Sequence, residues 1–174
     1  IINLSKKYDC YLICTGTHFD TNYGYSYKNI LKTNIKKIII YKIKDIYKKT
    51  FDKIHSEYLS IVYSCLKKIN PNLICLFGDR SEILITSFVA YSLKVPIAHF
   101  SGGELTEGSL DDSYRHCITK FSNFHFTTSE EHKKRVIQLG ENKKNVFNFG
   151  SLIISNIKNK KFFLKEDLEK IYLI

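Results

Sequence analysis

The sequence predicts an α/β fold, a doubly wound parallel sheet with helices on both faces. Three observations carry that prediction. Short apolar runs of strand type recur along the chain. Between them the hydrophobic period lengthens to threes and fours, and Gly, Asn or Pro stands at the junctions. Alternating strands and helices are the mark of an open parallel sheet. Sheets of this kind bind ligands beyond the carboxyl ends of their strands.

Residues 11–15 form the first apolar run, closed by Gly16, and read as a buried parallel strand. The loop after it carries His18 and Tyr23-Gly24. A short helix is expected over 27–31 and a second strand over 38–41. From about residue 48 to 69, Phe51, Ile54, Tyr58, Ile61, Val62 and Cys65 recur at helical spacing, and Asn70-Pro71 stops the helix. Residues 73–77 are the next strand, with Gly78 allowing a sharp turn into a helix over 81–93. That helix is apolar almost all round and should be covered on several sides.

A short strand over 95–100 leads into a glycine-rich loop. Ser109-x-x-Asp112 resembles a capping box opening a helix over 110–121. Residues 123–127 read as a strand, and Thr128-x-x-Glu131 as the start of a helix that Gly140 ends. A last strand covers 146–150. Residues 151–159 and 164–171 look helical.

The candidate site residues fall on the carboxyl edge of this sheet. Asp79 follows the third strand, where it serves either as a helix-start acid or as a functional carboxylate. Arg80 beside it offers a guanidinium at a helix start, which suits phosphate. Ser101-Gly102-Gly103-Glu104 is either an ordinary turn or a place where backbone approaches a ligand closely. Asp111 and Asp112 lie in a first helical turn, with Arg115 four residues after the former and His116 four after the latter. Such pairs are either plain helix support or carboxylates tuned for proton transfer. His18, at a strand's carboxyl edge, is better placed for a ligand than His55, His125 or His132. No metal-ligand spacing, GxGxxG or GxxxxGKS occurs, so we expect no metal, no dinucleotide cofactor and no P-loop.

Composition narrows the class. At 174 residues with 44% hydrophobic residues, the chain is long and apolar enough for a proper core. Its net charge of +10 comes from lysines spread along helices, without an arginine-rich stripe, so a solvated basic surface is expected and no nucleic-acid partner. No apolar run is long enough for a membrane span, and the lysine-rich start is unlike a signal peptide. We expect no membrane partner and a cytoplasmic location. The five cysteines include no CxxC pair; Cys14 and Cys75, inside apolar runs, are expected in the core as reduced thiols. The chain has no methionine, from which we expect a piece of a longer polypeptide.

The motifs resemble those of the hydrolysing UDP-N-acetylglucosamine 2-epimerases. The resemblance rests on Gly78-Asp79-Arg80-Ser81-Glu82, the stretch from His99 to Glu104, and the Asp111-Asp112-Ser113-x-Arg115-His116 core. It continues through Thr127 to Glu131, Arg135 to Glu141 and Val146 to Ser151, and includes Thr15-Gly16-Thr17-His18 with Tyr23-Gly24. It implies a Rossmann-like domain, one of two in a glycosyltransferase-B-like fold, with the active site in the cleft between them. Residues 1–160 would be the N-terminal domain lacking its first strand, and 161–174 the start of a linker.

The implied reaction releases UDP and N-acetylmannosamine with inversion at C2, serving sialic acid synthesis. A close branch instead takes UDP-diacetylbacillosamine, and the non-hydrolysing epimerases are a further alternative. The resemblance implies catalytic roles for Asp79, Asp111 and Asp112, nucleotide or diphosphate contacts for Arg80 and Arg115, and an active-site role for His18. Ser101 stands where many relatives carry a glutamate, or sometimes a histidine, before the glycine pair, so either Glu104 or another acid is expected to take part, or the substrate branch differs. Ser101, Gly102, Gly103 and His116 are expected to line the substrate. The partner is a UDP-sugar; the full-length form is expected to be a homo-oligomer, and residues 1–174 alone to be inactive.

Overall fold

The computed structural model describes residues 4–14, 16–19, 21–32, 37–40 and 50–151. Beyond Ser151, the helices expected over 151–159 and 164–171, and the linker segment, lie outside the described residues.

β1 (Tyr11–Cys14) and β2 (Lys37–Ile40) pair in parallel. β3 (Ile74–Phe77), β4 (Ile97–Phe100), β5 (Phe124–Thr127) and β6 (Val146–Asn148) form a four-stranded parallel sheet in that order. The connecting helices are α1 (Tyr27–Leu31), α2 (Phe51–Ile69), α3 (Ser81–Ser92), α4 (Leu110–Phe121) and α5 (Glu130–Gln138). This is the parallel α/β architecture that the periodicity predicts. β3 to β6 are each shorter than expected by a residue or two, while β2 begins one residue earlier than expected, at Lys37.

Register sorts the side chains. Ile74 faces Ile97, Leu76 faces His99, and His99 faces His125, so these residues share one face of the sheet. That face carries the core. Leu76 and Ile97 pack with Tyr58, Val62 and Leu66 of α2, Val89 and Ala90 of α3 and Ile118 of α4. Ile13 of β1 packs against the margin of the same cluster. Crossovers between neighbouring parallel strands are right-handed, which puts the helices joining β3, β4, β5 and β6 on one side.

The opposite face behaves differently from expectation. Cys75 is exposed, as are Leu73 and Phe77. The continuous apolar run over 73–77 predicts burial on both faces, but among its described residues Leu76 is buried while Leu73, Cys75 and Phe77 are exposed. Cys14, by contrast, is buried as expected. Across the open face runs a row of stacked rings, from Phe77 through Phe100 and Phe126 to Phe147 and Phe149. Among the described residues no helix long and apolar enough to cross a membrane is present.

Candidate active site

Three pieces of chain meet at the carboxyl end of the four-stranded sheet. The first is the turn after β3. Gly78 adopts φ +90°, a conformation that favours glycine, and reverses the chain so that Asp79 stands at the strand's end. Asp79 does not cap α3; Arg80 holds the N-cap position and makes no side-chain cap bond. The second piece is the loop after β4, and the third is the start of α4.

The glycine loop is fastened to the protein's own elements. A Cβ on Gly102 would come within 3.1 Å of His99 Nδ1 and Thr119 Oγ1. Gly103 has φ +80°, and a Cβ there would collide with the His132 carbonyl of α5. Arg135 Nη1 donates to the Gly103 carbonyl. The close approach that paired glycines permit is thus made to α4, β4 and α5. Ser101 also has positive φ, +66°, and its N–H donates to the Phe126 carbonyl at 2.9 Å. Glu104 emerges from this loop, and its Oε1 accepts from Thr128 Oγ1 at 2.9 Å.

α4 opens on Ser109, whose hydroxyl accepts from the Asp111 N–H at 3.2 Å. The predicted capping box is only half made. Asp112 does not reach back to the cap; its Oδ1 accepts from the Thr106 N–H at 3.1 Å and from Arg115 Nη1 at 2.7 Å. The expected Asp111–Arg115 pair is not formed. Arg115 is 3% exposed, turned inward, and takes Asp112 at i,i+3 instead. The Asp112–His116 pair is present, with Nε2 to Oδ2 at 3.7 Å.

Arg115 is the centre of the cluster. Its Nε donates to Asp79 Oδ2 at 2.9 Å, and Nη2 donates to the same oxygen. Nη1 also donates to the Glu104 carbonyl at 2.7 Å, and Nη2 to Thr106 Oγ1 at 3.1 Å. One guanidinium thus draws together Asp79, the loop from Glu104 to Thr106, and Asp112. Asp111 is half-buried beside them, with no hydrogen bond or ion pair to its carboxylate among the described residues.

The remaining expected residues stand further out. Arg80 is well exposed, its side chain 58% accessible, with Nε 3.6 Å from Glu82. His18 is exposed and its Nδ1 lies 2.8 Å from Ser26 Oγ; among the described residues no bond links it to the acid cluster. A hollow lined by Lys53, Ser56, Glu57 and Ser60 lies on α2 and holds none of the site residues.

Beneath the cluster, His99 and His125 are buried side by side across β4 and β5. Burial pushes His99 down to about 4, with His125 and Arg115 acting in the same direction against Asp79 and a backbone interaction with Gly78. Burial also lowers His125, outweighing the Glu141 carboxylate 3.2 Å from its Nε2. Both imidazoles are neutral parts of the floor. Among the described residues no group of His, Cys, Asp and Glu has the makings of a metal site.

Sequence reasoning missed Thr106, Thr128 and His132. Thr128 holds Glu104, and its hydroxyl lies 2.8 Å from His132 Nδ1. The Thr106–Arg115 and Thr128–Glu104 contacts join separate parts of the chain, which no spacing marks, whereas Thr128 and His132 stand four residues apart, a local spacing that does mark them. A clue lies in the cap of α5, which is Ser129 rather than the expected Thr128.

Comparison with known proteins gives a consistent picture. Residues 2–172 match the family model described as UDP-N-acetylglucosamine 2-epimerase. The chain is 40% identical, over 97% of its length, to a GDP/UDP-N,N'-diacetylbacillosamine 2-epimerase (hydrolyzing) of Campylobacter jejuni, of which it covers 44%. It is 36% identical over 92% of its length to the polysialic acid biosynthesis protein P7 of Escherichia coli, covering 42%. In fold it resembles the crystal structure of the Neisseria meningitidis UDP-GlcNAc 2-epimerase bound to UDP-GlcNAc. The TM-score is 0.72 at 17% identity, over 98% of this chain and 49% of that one. The chain therefore spans less than half the length of these three proteins.

Proposed function

The chain belongs to the UDP-N-acetylglucosamine 2-epimerase family, and from that membership we propose that it supplies the acid-bearing half of a hydrolysing UDP-sugar 2-epimerase. The reaction releases UDP from a UDP-linked 2-acetamido sugar and inverts C2. The observation that carries the proposal is the gathering of Asp79 and Asp112 on one buried guanidinium, with Asp111 and Glu104 close in the chain to its other contacts.

The chemistry needs carboxylates at proton-transfer distance. One takes the C2 proton. The released electron pair forms a C1=C2 bond, and UDP leaves from C1 with the C1–O pair. A carboxylic acid then returns a proton to C2 on the opposite face while a water oxygen bonds C1, and the proton that this water sheds goes to a carboxylate of the site. Asp79 uses Oδ2 for Arg115, and among the described residues its Oδ1 has no partner. Asp111 is unpaired in the same sense. These two are the proton carriers in this reading. Asp112 is tied by Arg115 and Thr106 and holds the arrangement; Glu104, held by Thr128, lies at its rim. Arg80, exposed at the head of α3, is the cation offered to the departing diphosphate. His18 and His116 are assigned to the substrate's surroundings, and the full-length protein to a homo-oligomer.

UDP-N-acetylglucosamine giving N-acetylmannosamine is the first substrate reading, in keeping with the relative named for polysialic acid synthesis. A second reading, a nucleotide-linked N,N'-diacetylbacillosamine, is supported by the 40% identical relative. The experiment is a coupled assay of nucleotide release. It uses the polypeptide expressed from its whole natural reading frame, supplied in turn with UDP-N-acetylglucosamine and with UDP- and GDP-diacetylbacillosamine. Release with one substrate and a loss of about 10²- to 10⁴-fold in Asp79→Asn is expected. Normal turnover in Asp79→Asn would remove Asp79 from its role.

A further inference from the structure

We infer that Arg115 is a positioning residue that clamps the site's acids and does not touch the phosphates of the substrate. The inference rests on the function proposed above and departs from the diphosphate contact that sequence resemblance implies for this residue.

A guanidinium has five N–H donors in a fixed fork. All five of Arg115 are used: two on Asp79 Oδ2, one on Asp112 Oδ1, one on the Glu104 carbonyl and one on Thr106 Oγ1. The residue is 3% exposed, so no face is left for an incoming anion. A phosphate could gain a donor only by stripping it from a buried carboxylate or carbonyl, which leaves that group unpaired.

The partners come from three separate pieces of chain, the end of β3, the loop after β4 and the first turn of α4. Joining them fixes distances that neither sheet nor helix geometry sets alone. Asp79 is held through Oδ2, so Oδ1 is the oxygen left for proton transfer. The other titratable groups around the clamp are His116 beside Asp112, Glu104, and the neutral His99 below, which feels both Asp79 and Arg115. A lysine in place of Arg115 keeps the charge and loses the fork, since one ammonium cannot span these acceptors.

The test compares Arg115→Lys and Thr106→Val with wild type in the whole natural polypeptide. UDP binding is measured by calorimetry, and nucleotide release at saturating sugar nucleotide. Arg115→Lys is expected to lose about 100-fold in turnover, the scale of a small misplacement of reacting groups, while its Kd for UDP stays within about twofold. Thr106→Val, which removes one anchor only, should lose less and likewise keep its UDP affinity. Wild-type turnover in Arg115→Lys, or a Kd for UDP about tenfold weaker with saturated turnover intact, overturns the inference.

A second arm needs no turnover. In ¹H–¹⁵N NMR the Arg115 Nε–H should exchange slowly, shift in Asp79→Asn, and stay put when inorganic pyrophosphate is added. A pyrophosphate-induced shift of that signal, or rapid exchange, overturns the clamp. A wild-type protein that releases nucleotide from no sugar substrate sinks the proposed function alone, and this arm still decides for Arg115.

Discussion

Neighbouring aspartates at the start of α4 have opposite surroundings. Asp112 accepts hydrogen bonds from Arg115 and from the Thr106 N–H. Asp111 is half-buried beside it with no partner to its carboxylate among the described residues. Their truncation should therefore separate stability from chemistry. Asp111→Ala is expected to lose about 10²- to 10⁴-fold in nucleotide release, as for a lost general acid or base. Its stability should change by less than about 1 kcal/mol, the scale of a helix-dipole contact. Asp112→Ala should cost about 1–3 kcal/mol, because it frees a charged donor in a buried place. Urea unfolding and the release assay, run on both variants, check the pair. Equal destabilisation by the two substitutions would contradict the assignment. In the sequence the two residues are indistinguishable, since helical spacing pairs Asp111 with Arg115 as readily as Asp112. Tertiary burial of Arg115 breaks the tie.

At the scale of elements, the order of strands and helices is legible because local periodicity decides it. Tyr58, Val62 and Cys65 of α2 recur at helical spacing and are all buried. Element ends are less legible. The start of α5 moves by one residue because the Thr128 hydroxyl is taken by Glu104, and the capping box of α4 opens because Thr106 and Arg115 claim Asp112. Such competition between local and distant partners leaves no trace in spacing. The β4–β5 pair shows the same limit. His99 and His125 look unremarkable in sequence, yet register places them side by side beneath the site.

Their burial has a measurable consequence. Both histidines titrate below the ordinary value of 6.5, His99 at about 4. For a base with a lowered folded pKa, the unfolded chain takes up the proton first as pH falls. Stability is thus complete above about 6.5 and declines as pH falls toward 4. From His99 alone the loss at pH 5 is about 2 kcal/mol, at about 1.4 kcal/mol per pKa unit over the interval crossed. Guanidinium unfolding at pH 7.5 and pH 5 should show it. A stability that does not fall between those two values would contradict the neutral, buried state of the pair.

At the scale of the whole molecule, two properties oppose each other. The open sheet face carries stacked rings from Phe77 to Phe149, of which these two end members are 54% and 75% exposed. A contiguous apolar surface of this kind favours association. The net charge of +10 opposes it through repulsion between copies. Salt acts on only one side of this balance: the screening length falls from about 30 Å at 0.01 M to about 3 Å at 1 M, while apolar attraction persists or strengthens. The 174-residue chain is therefore expected to be monomeric in dilute buffer and to gain mass with added salt, as followed by sedimentation or light scattering. The double variant Phe77→Ser with Phe149→Ser should suppress that gain, because it removes the two most accessible rings and leaves the core cluster around Leu76 and Ile97 intact. A charge-driven contact would behave oppositely and dissolve as salt rises. A chain that stays monomeric at high salt, or a double variant that associates as fully as wild type, would show that the phenylalanine face does not drive association.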